Sequence, residues 1–213
     1  MPFDEAYFES VYRNYARQNP SRKMRFYRGL LERHMGGKPS PRILDLGCAF
    51  GLFLESLPPT LRKCGVDASE YAIRQAAERV PEACLSVGDC AAPPFQGPFD
   101  AIVAFDVLEH IADPGRVLAF IEQALAPGGL LLFVVPVYDG PLGPVVHLLD
   151  RDPTHLHKRS RWWWLDQAAS RFELIEWTGI LRYLVTPGCY VHAPGKAIRR
   201  IAPAIAVAAR KRR

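Results

Sequence analysis

Residues 42–51 read Arg-Ile-Leu-Asp-Leu-Gly-Cys-Ala-Phe-Gly, and the fold is decided there. Arg42–Leu46 is a short, largely apolar run, the pattern of a strand covered on both faces. It leads through Asp45-Leu-Gly47-Cys-Ala-Phe-Gly51 into a predicted helix, Gly51–Leu57, which Pro58-Pro59 ends. Gly47 lets the backbone turn and approach a ligand closely, and Gly51 lets the helix pack against the strand. The spacing is G-x-x-x-G, not the G-x-G-x-x-G of a pyrophosphate-binding turn. Taken alone, a tight strand–helix turn with no ligand accounts for it equally well.

Working outward, apolar runs alternate with helical segments. Lys63–Asp67 reads as a second strand, with Ser69 placed to cap a helix from about Glu70 to Arg79. Ala83–Val87 and Phe99–Phe105 read as further strands, Pro114–Leu125 as a helix ended by Ala-Pro-Gly-Gly129, and Leu130–Val135 as the most apolar strand. A helix is expected at about 160–171, then two strands, Phe172–Trp177 and Ile180–Val185, around Thr178-Gly179. Residues 3–34 read as helical with a break at Asn19-Pro20, Asn19 suiting an N-cap and Pro20 a first helical position. Gly36–Pro41 is a turn-rich linker. The alternation implies an α/β fold, doubly wound around an open, mostly parallel sheet with helices on both faces. The expected division is 1–41, an N-terminal helical lid; 42–187, the sheet domain; and 188–213, a basic tail.

A chain of 213 residues, 49% apolar, suits one domain with a sizeable core. No apolar run reaches the ~18 residues of a membrane-crossing helix, and the first residues lack a secretory pattern. Five scattered cysteines without C-x-x-C argue for a reducing compartment, so a cytoplasmic setting is expected. The net charge of +5 is unevenly placed. Residues 1–42 carry nine Lys/Arg against four Asp/Glu, 43–195 carry eleven against eighteen, and 196–213 carry seven against none. An acidic body argues against a nucleic-acid partner, which would be met by a basic stripe.

In such sheets a ligand lies at the carboxyl ends of the strands. Asp67, closing the second strand, stands 20 residues after Gly47, where an acid can take both hydroxyls of a ribose; it can equally precede a helix as a cap. Val87-Gly-Asp89-Cys90 closes the third strand, with Asp89 suited to an exocyclic amine or to a plain turn. The fourth strand runs into Phe105-Asp106-Val-Leu-Glu109-His110-Ile111.

These four motifs, in this order, resemble the class I S-adenosylmethionine-dependent methyltransferases of the small-molecule branch. The resemblance covers residues 42–136, and 137–186 more loosely. It implies about seven strands with the last antiparallel, and S-adenosylmethionine as cofactor. It implies Asp45, Gly47 and Gly51 around the methionine part, lined by Cys48 and Ala49. Asp67 then belongs on the ribose, Ala68 beside the adenine, Asp89 and Cys90 at its edge, and Phe105 and Asp106 toward the sulfonium and acceptor. The expected partner is a small-molecule, lipid or glycan-precursor acceptor, methylated by in-line displacement on oxygen, with nitrogen and carbon as the alternatives.

A methyl sulfonium is already activated, so a general base is needed only where the acceptor must lose a proton. His155, in Asp152-Pro-Thr-His155-Leu-His157, is the first candidate, with a surface or structural role as the alternative; His110 is the second, or else packs beneath the cofactor. His147, Asp150, Asp152, His155 and His157 lack regular ligand spacing, so no metal site is read there. Tyr7-Val11-Tyr15 and Tyr12, Phe26 and Tyr27 fit either a lid or an apolar stripe. Trp162-Trp163-Trp164 could wall a substrate pocket or pack a helix on the sheet. The tail could meet an anionic membrane or an acidic partner, or be a solvated end. Two rival functions remain, a nucleic-acid methyltransferase and a non-catalytic scaffold that binds the cofactor. Against the first, the fourth motif lacks an Asn/Asp-Pro-Pro-Tyr/Phe group and a nucleophilic cysteine.

Overall fold

A computed structural model describes residues 5–10, 15–150, 152–186 and 189–212. Val11, Tyr12 and the first residues fall outside that set. Strands β1 (Arg42–Leu46), β2 (Arg62–Asp67), β3 (Cys84–Val87), β4 (Phe99–Phe105) and β5 (Leu125–Pro136) are followed by β6 (Phe172–Thr186), β7 (Cys189–Gly195) and β8 (Ala204–Lys211). They form one eight-stranded sheet in the order β3-β2-β1-β4-β5-β8-β6-β7. The first five strands are parallel, whereas β8 runs antiparallel to both β5 and β6, and β7 antiparallel to β6. The strand order reverses between β1 and β4, which opens a crevice at their carboxyl ends.

Alternation along the strands sends side chains to two cores. Leu131, Phe133 and Val135 of β5 and Ile205, Val207 and Ala209 of β8 face α6 (Pro114–Ala124) and α8 (Arg161–Ala169). Leu130, Leu132 and Val134 share the other face with Ala204, Ala206 and Ala208. The small side chains of β8 there leave room for Tyr27, Leu30 and Leu31 of α3 (Ser21–Met35). Shorter helices complete the layers: α1 (Glu5–Ser10), α2 (Tyr15–Gln18), α4 (Leu52–Ser56), α5 (Glu70–Arg79) and α7 (Gly143–Leu149). Ser69 caps α5 as expected, accepting from Ala72 N at 3.2 Å. Pro20 is the N-cap of α3 rather than its first residue, and the Asn19 side chain turns back to Tyr15 O at 2.9 Å. No helix among the described residues is long and apolar enough to cross a membrane.

Two expectations are corrected. Thr178-Gly179 is not a hairpin, because β6 runs unbroken through it. Glycine is needed at 179 for close approach: a Cβ there would stand 2.5 Å from Arg199 Cα and 2.8 Å from Ala202 Cβ. The basic tail is not a solvated end, since residues 204–209 are buried between β5 and β6. Its cations complete the carbonyl ends of three helices, where positive charge is favoured. Arg210 reaches His34 O at 3.1 Å, Lys211 reaches Leu125 O at 2.7 Å, and Arg212 reaches Ala169 O at 2.7 Å. Arg210, Lys211 and Arg212 are thus engaged within the fold.

Buried Arg161 ties the loop after β5 to the turn before β8. Its guanidinium meets Asp139 Oδ2 at 2.9 Å and Ala202 O at 3.3 Å, and also donates to Arg199 O. Of the three adjacent tryptophans, Trp164 is buried and Trp162 half exposed against Trp177. They pack α8 on the sheet rather than wall the cavity described below.

Glu176 of β6 links three elements through Arg33 (2.8 Å), His34 (3.0 Å) and Lys196 (2.8 Å). Although burial opposes ionisation, the hydrogen bonds from Lys196 and His34, with the Lys196 and Arg33 charges, hold its carboxyl down at about 2. A lowered folded pKa contributes stability above the unfolded value and loses it as pH falls through the folded one. Glu176→Gln should therefore cost about 1 kcal/mol at pH 7, with the deficit shrinking from pH 4.5 toward 2. Urea titrations across that range check this; a pH-independent deficit would assign the loss to packing.

Candidate functional site

The carboxyl ends of β1, β2 and β4 open into a cavity of about 1030 Å³, the scale of a site for a cofactor-sized molecule. Asp45, Gly47, Cys48, Ala49, Asp67, Ala68, Asp89, Cys90, Phe105, Asp106, His110 and His155 all line it. Gly51 does not. It adopts φ +73° at the N-cap of α4, and a Cβ there would lie 3.2 Å from Ala76 and 3.3 Å from Val80, so it packs α4 on α5 rather than on the strand.

The floor is made by the β1–α4 turn. Gly47 N and Cys48 N both donate to Val66 O, at 2.8 and 3.0 Å, which pins the turn to β2. Gly47 has φ +71° and Ala49 φ +44°, a region only glycine enters freely. A Cβ on Gly47 would fall on the Val107 side chain. Its glycine thus serves the turn before any ligand is considered. Asp67 accepts from Ala49 N and Ser69 N, both at 2.9 Å. Burial raises its pKa while those backbone bonds oppose the shift. Burial, and Asp67 nearby, push Asp45 well above the usual carboxylate range. Asp89 is exposed and holds Ala91 N at 2.8 Å, so its turn role is real. Burial pushes the Cys48 thiol up and that of Cys90 to about 12, so neither is a nucleophile at neutral pH.

N-terminal side chains form the opposite wall. Phe8 of α1 packs at 4.8 Å on Phe50, and Tyr15 at 4.5 Å on the same ring, directly over the turn. Tyr7 donates to Asp152 Oδ2 at 3.0 Å, joining this wall to the loop after α7. Tyr27 of α3 stacks on Phe105 at 4.2 Å.

Asp106 has φ +60° and sits between two cations from remote elements, Lys23 of α3 at 3.3 Å and Arg182 of β6. Burial opposes ionisation, yet the Arg182 and Lys23 charges hold its carboxyl well below the usual range. Sequence reasoning assigned no role to Lys23 or Arg182. Ion pairs spanning 83 and 76 residues leave no local pattern.

The far end is polar. His155 Nδ1 lies 2.9 Å from Asp150 Oδ1, and the Tyr138 hydroxyl donates to Asp150 Oδ2 at 2.6 Å. His110 stands beside it, ring centroids 4.7 Å apart, with Nδ1 2.8 Å from Thr154 Oγ1. Burial, and His155 next, lower the His110 pKa to about 4. The loop is locked to the 3-10 turn Leu108–His110 by Leu156 N and His157 N, which donate to Glu109 O at 2.9 and 3.1 Å. His157 is structural, its Nε2 2.9 Å from Ile111 O. His147 is exposed beside the Tyr138 ring.

The sequence model described as "Methyltransferase domain" matches residues 15–184. The ubiquinone biosynthesis O-methyltransferase of Caulobacter sp. (strain K31) is 40% identical over 98 residues, which is 43% of this chain and 39% of that one. The trans-aconitate 2-methyltransferase of Variovorax paradoxus (strain S110) is 38% identical over 100 residues, 45% of this chain and 38% of that one. The matched stretch is thus well under half the length of those relatives. The solved N-methyltransferase NodS of Bradyrhizobium japonicum WM9 superposes with a TM-score of 0.64 at 18% identity, over 92% of this chain and 99% of that one, a likeness of fold.

Asp106→Ala would leave Lys23 and Arg182 facing each other without a counter-charge. A loss of about 3 kcal/mol is expected, since removing one member of a largely buried ion group strands the others. Denaturant unfolding measures it; a change below about 0.5 kcal/mol would show that the group does not hold α3 to β6.

Proposed function

The chain belongs to the methyltransferase domain family, and on that premise we propose that it transfers the methyl group of S-adenosylmethionine to an oxygen of a small-molecule acceptor. The carrying observation is the two-ended cavity, carboxylates and tight backbone at one end and paired imidazoles at the other. The residues fit the cofactor. Each Asp67 oxygen accepts one backbone N–H, and a carboxylate has about four acceptor positions, so capacity remains for two ribose hydroxyls. Asp45, Gly47, Cys48 and Ala49 would hold the methionine part, Ala68 the adenine face, and Asp89 and Cys90 its edge. Phe105 and Asp106 would border the reacting centre.

When bound, the cofactor supplies a methyl group already activated on a sulfonium. The chain has then to exclude water, align the acceptor and provide for its proton. Phe8, Tyr15 and Phe50 close the cofactor end with aromatic surface. His110 and His155 mark where an acceptor hydroxyl would lose its proton, and Asp150 fixes the His155 ring. The names of the two curated relatives, an O-methyltransferase and a trans-aconitate methyltransferase, support a small acceptor and methylation on oxygen. The acidic body and Asp106-Val-Leu-Glu109 in the fourth motif weigh against a nucleic-acid acceptor. A cytoplasmic setting belongs to the same proposal, supported by five scattered cysteines without C-x-x-C.

Two charge-assisted hydrogen bonds, each worth about 1.5–3 kcal/mol, are lost in Asp67→Ala. Calorimetry should show cofactor affinity falling by at least about tenfold; unchanged binding would remove Asp67 from the ribose. A methyl-transfer assay over a panel of hydroxylated metabolites and carboxylic acids, with oligonucleotides in parallel, tests the acceptor class. Transfer to oligonucleotides alone would replace the reading, and cofactor binding with no transfer would favour a scaffold. With an acceptor in hand, His155→Ala should lower kcat by about 10²–10⁴-fold while cofactor affinity holds. Full turnover in that variant would take the reaction away from the histidine end.

A further inference from the structure

Three side chains from two distant stretches meet at the polar end. Glu109 and His110 belong to the 3-10 turn after β4, and His155 to the loop after α7. One ligand atom from each lies within 4.8 Å of the other two. Glu109 is only 1% exposed, and its Oε2 has no hydrogen-bond partner among the described residues. An unmatched buried carboxyl oxygen is costly and calls for a reason, of which a bound ion is one; here it faces two imidazoles.

The two imidazoles are held from behind. His110 Nδ1 lies 2.8 Å from Thr154 Oγ1, which in turn donates to Asp152 Oδ1 at 2.5 Å. His155 Nδ1 lies 2.9 Å from Asp150 Oδ1, and Asp150 is itself fixed by Tyr138 at 2.6 Å and Lys158 at 3.0 Å. A carboxylate or hydroxyl behind a ring nitrogen is the arrangement that orients a ligating histidine and sets its tautomer.

We propose that Glu109, His110 and His155 form a binding site for one divalent transition-metal cation, with a remaining position open to the cavity. Two imidazoles and one carboxylate suit borderline first-row cations such as Zn²⁺, Co²⁺ or Fe²⁺, whereas Mg²⁺ and Ca²⁺ favour all-oxygen shells. Bonds of about 2.0–2.2 Å place neighbouring ligand atoms about 3.4 Å apart. Binding therefore draws the three side chains together by roughly an ångström, within the reach of side-chain rotation. The site stands on its residues alone; only its consequence rests on the proposed function. An acceptor hydroxyl in the open position would be acidified by the cation. Its O–H bond breaks and the proton passes to water; the electron pair left on oxygen forms the O–CH₃ bond as the S–CH₃ bond breaks, that bond's pair staying on the sulfur of the departing S-adenosylhomocysteine. His155 then acts as a ligand rather than as a free base. Local spacing could not reveal this trio, because His155 lies 45 residues beyond His110.

Calorimetric titration of Co²⁺ and of Zn²⁺ into chelator-treated protein, with neither cofactor nor acceptor present, tests the site. One equivalent should bind with a micromolar or tighter Kd, and Co²⁺ should gain visible d–d absorption. Glu109→Gln and His155→Ala should each weaken binding at least 100-fold, and Asp150→Asn by about 10–100-fold, with S-adenosylmethionine affinity unchanged in all three. Circular dichroism checks folding, and His155→Ala decides if Glu109→Gln does not fold. Absence of binding, or binding unaltered in His155→Ala, overturns the site, the latter assigning the metal to His147 or other surface groups. Methyl transfer persisting without metal binding would sink this inference alone, and metal binding without methyl transfer would sink only the function.

Discussion

A strand buried in the middle of a sheet must have its N–H and C=O groups matched along both edges. β5 is the longest of the parallel strands and the most thoroughly covered. β4 serves one edge, and the other is served by β8, the last strand of the sheet in sequence, in antiparallel register from Leu130↔Arg210 to Pro136↔Ala204. β8 also carries β6 on its far edge, so the last part of the sequence joins the parallel half of the sheet to the antiparallel half. The alanines at 204, 206 and 208 let α3 lie close, and α3 brings Lys23 and Tyr27 to the cavity. The site is in this sense downstream of a strand that contributes nothing to its lining.

The two ends of the cavity are built by different means. At the carboxylate end, backbone geometry dominates, since positive φ at Gly47 and Ala49 and the bonds to Val66 O leave little freedom. At the imidazole end, position is set by side chains that hold one another, Tyr138 to Asp150 to His155 and Asp152 to Thr154 to His110. The first end is framed by the sheet and suits a ligand of constant shape. The second hangs from the segment after α7, where a different acceptor can be accommodated by changing a few side chains.

Much of this was legible in the sequence, and the exceptions share a cause. β1, β2, β4 and β5 announce themselves as apolar runs, and the acids closing β1 and β2 fall where the spacing places them. β8 does not announce itself, because its apolar residues are small and flanked by cations, the pattern of a solvated end, whereas Arg210, Lys211 and Arg212 lie against helix carbonyls. Thr178-Gly179 looks like a turn because glycine is the usual turn residue, whereas here it admits the Arg199 backbone to the middle of a strand. The Lys23–Asp106–Arg182 group and the meeting of Glu109 with His155 are long-range pairings without a local period.

The four tryptophans of the chain, Trp162, Trp163, Trp164 and Trp177, all lie along α8 and β6, whereas the cavity wall carries Tyr7, Tyr15, Tyr27 and Tyr190. Trp163 stacks on His157 at 5.9 Å, and Trp162 meets Trp177 edge-on at 5.8 Å. The indoles are therefore an optical reporter set apart from the cavity wall. Tryptophan emission follows the seating of α8 on the antiparallel half of the sheet, and a melt recorded by it times the parting of α8 from β6 rather than any event at the cavity.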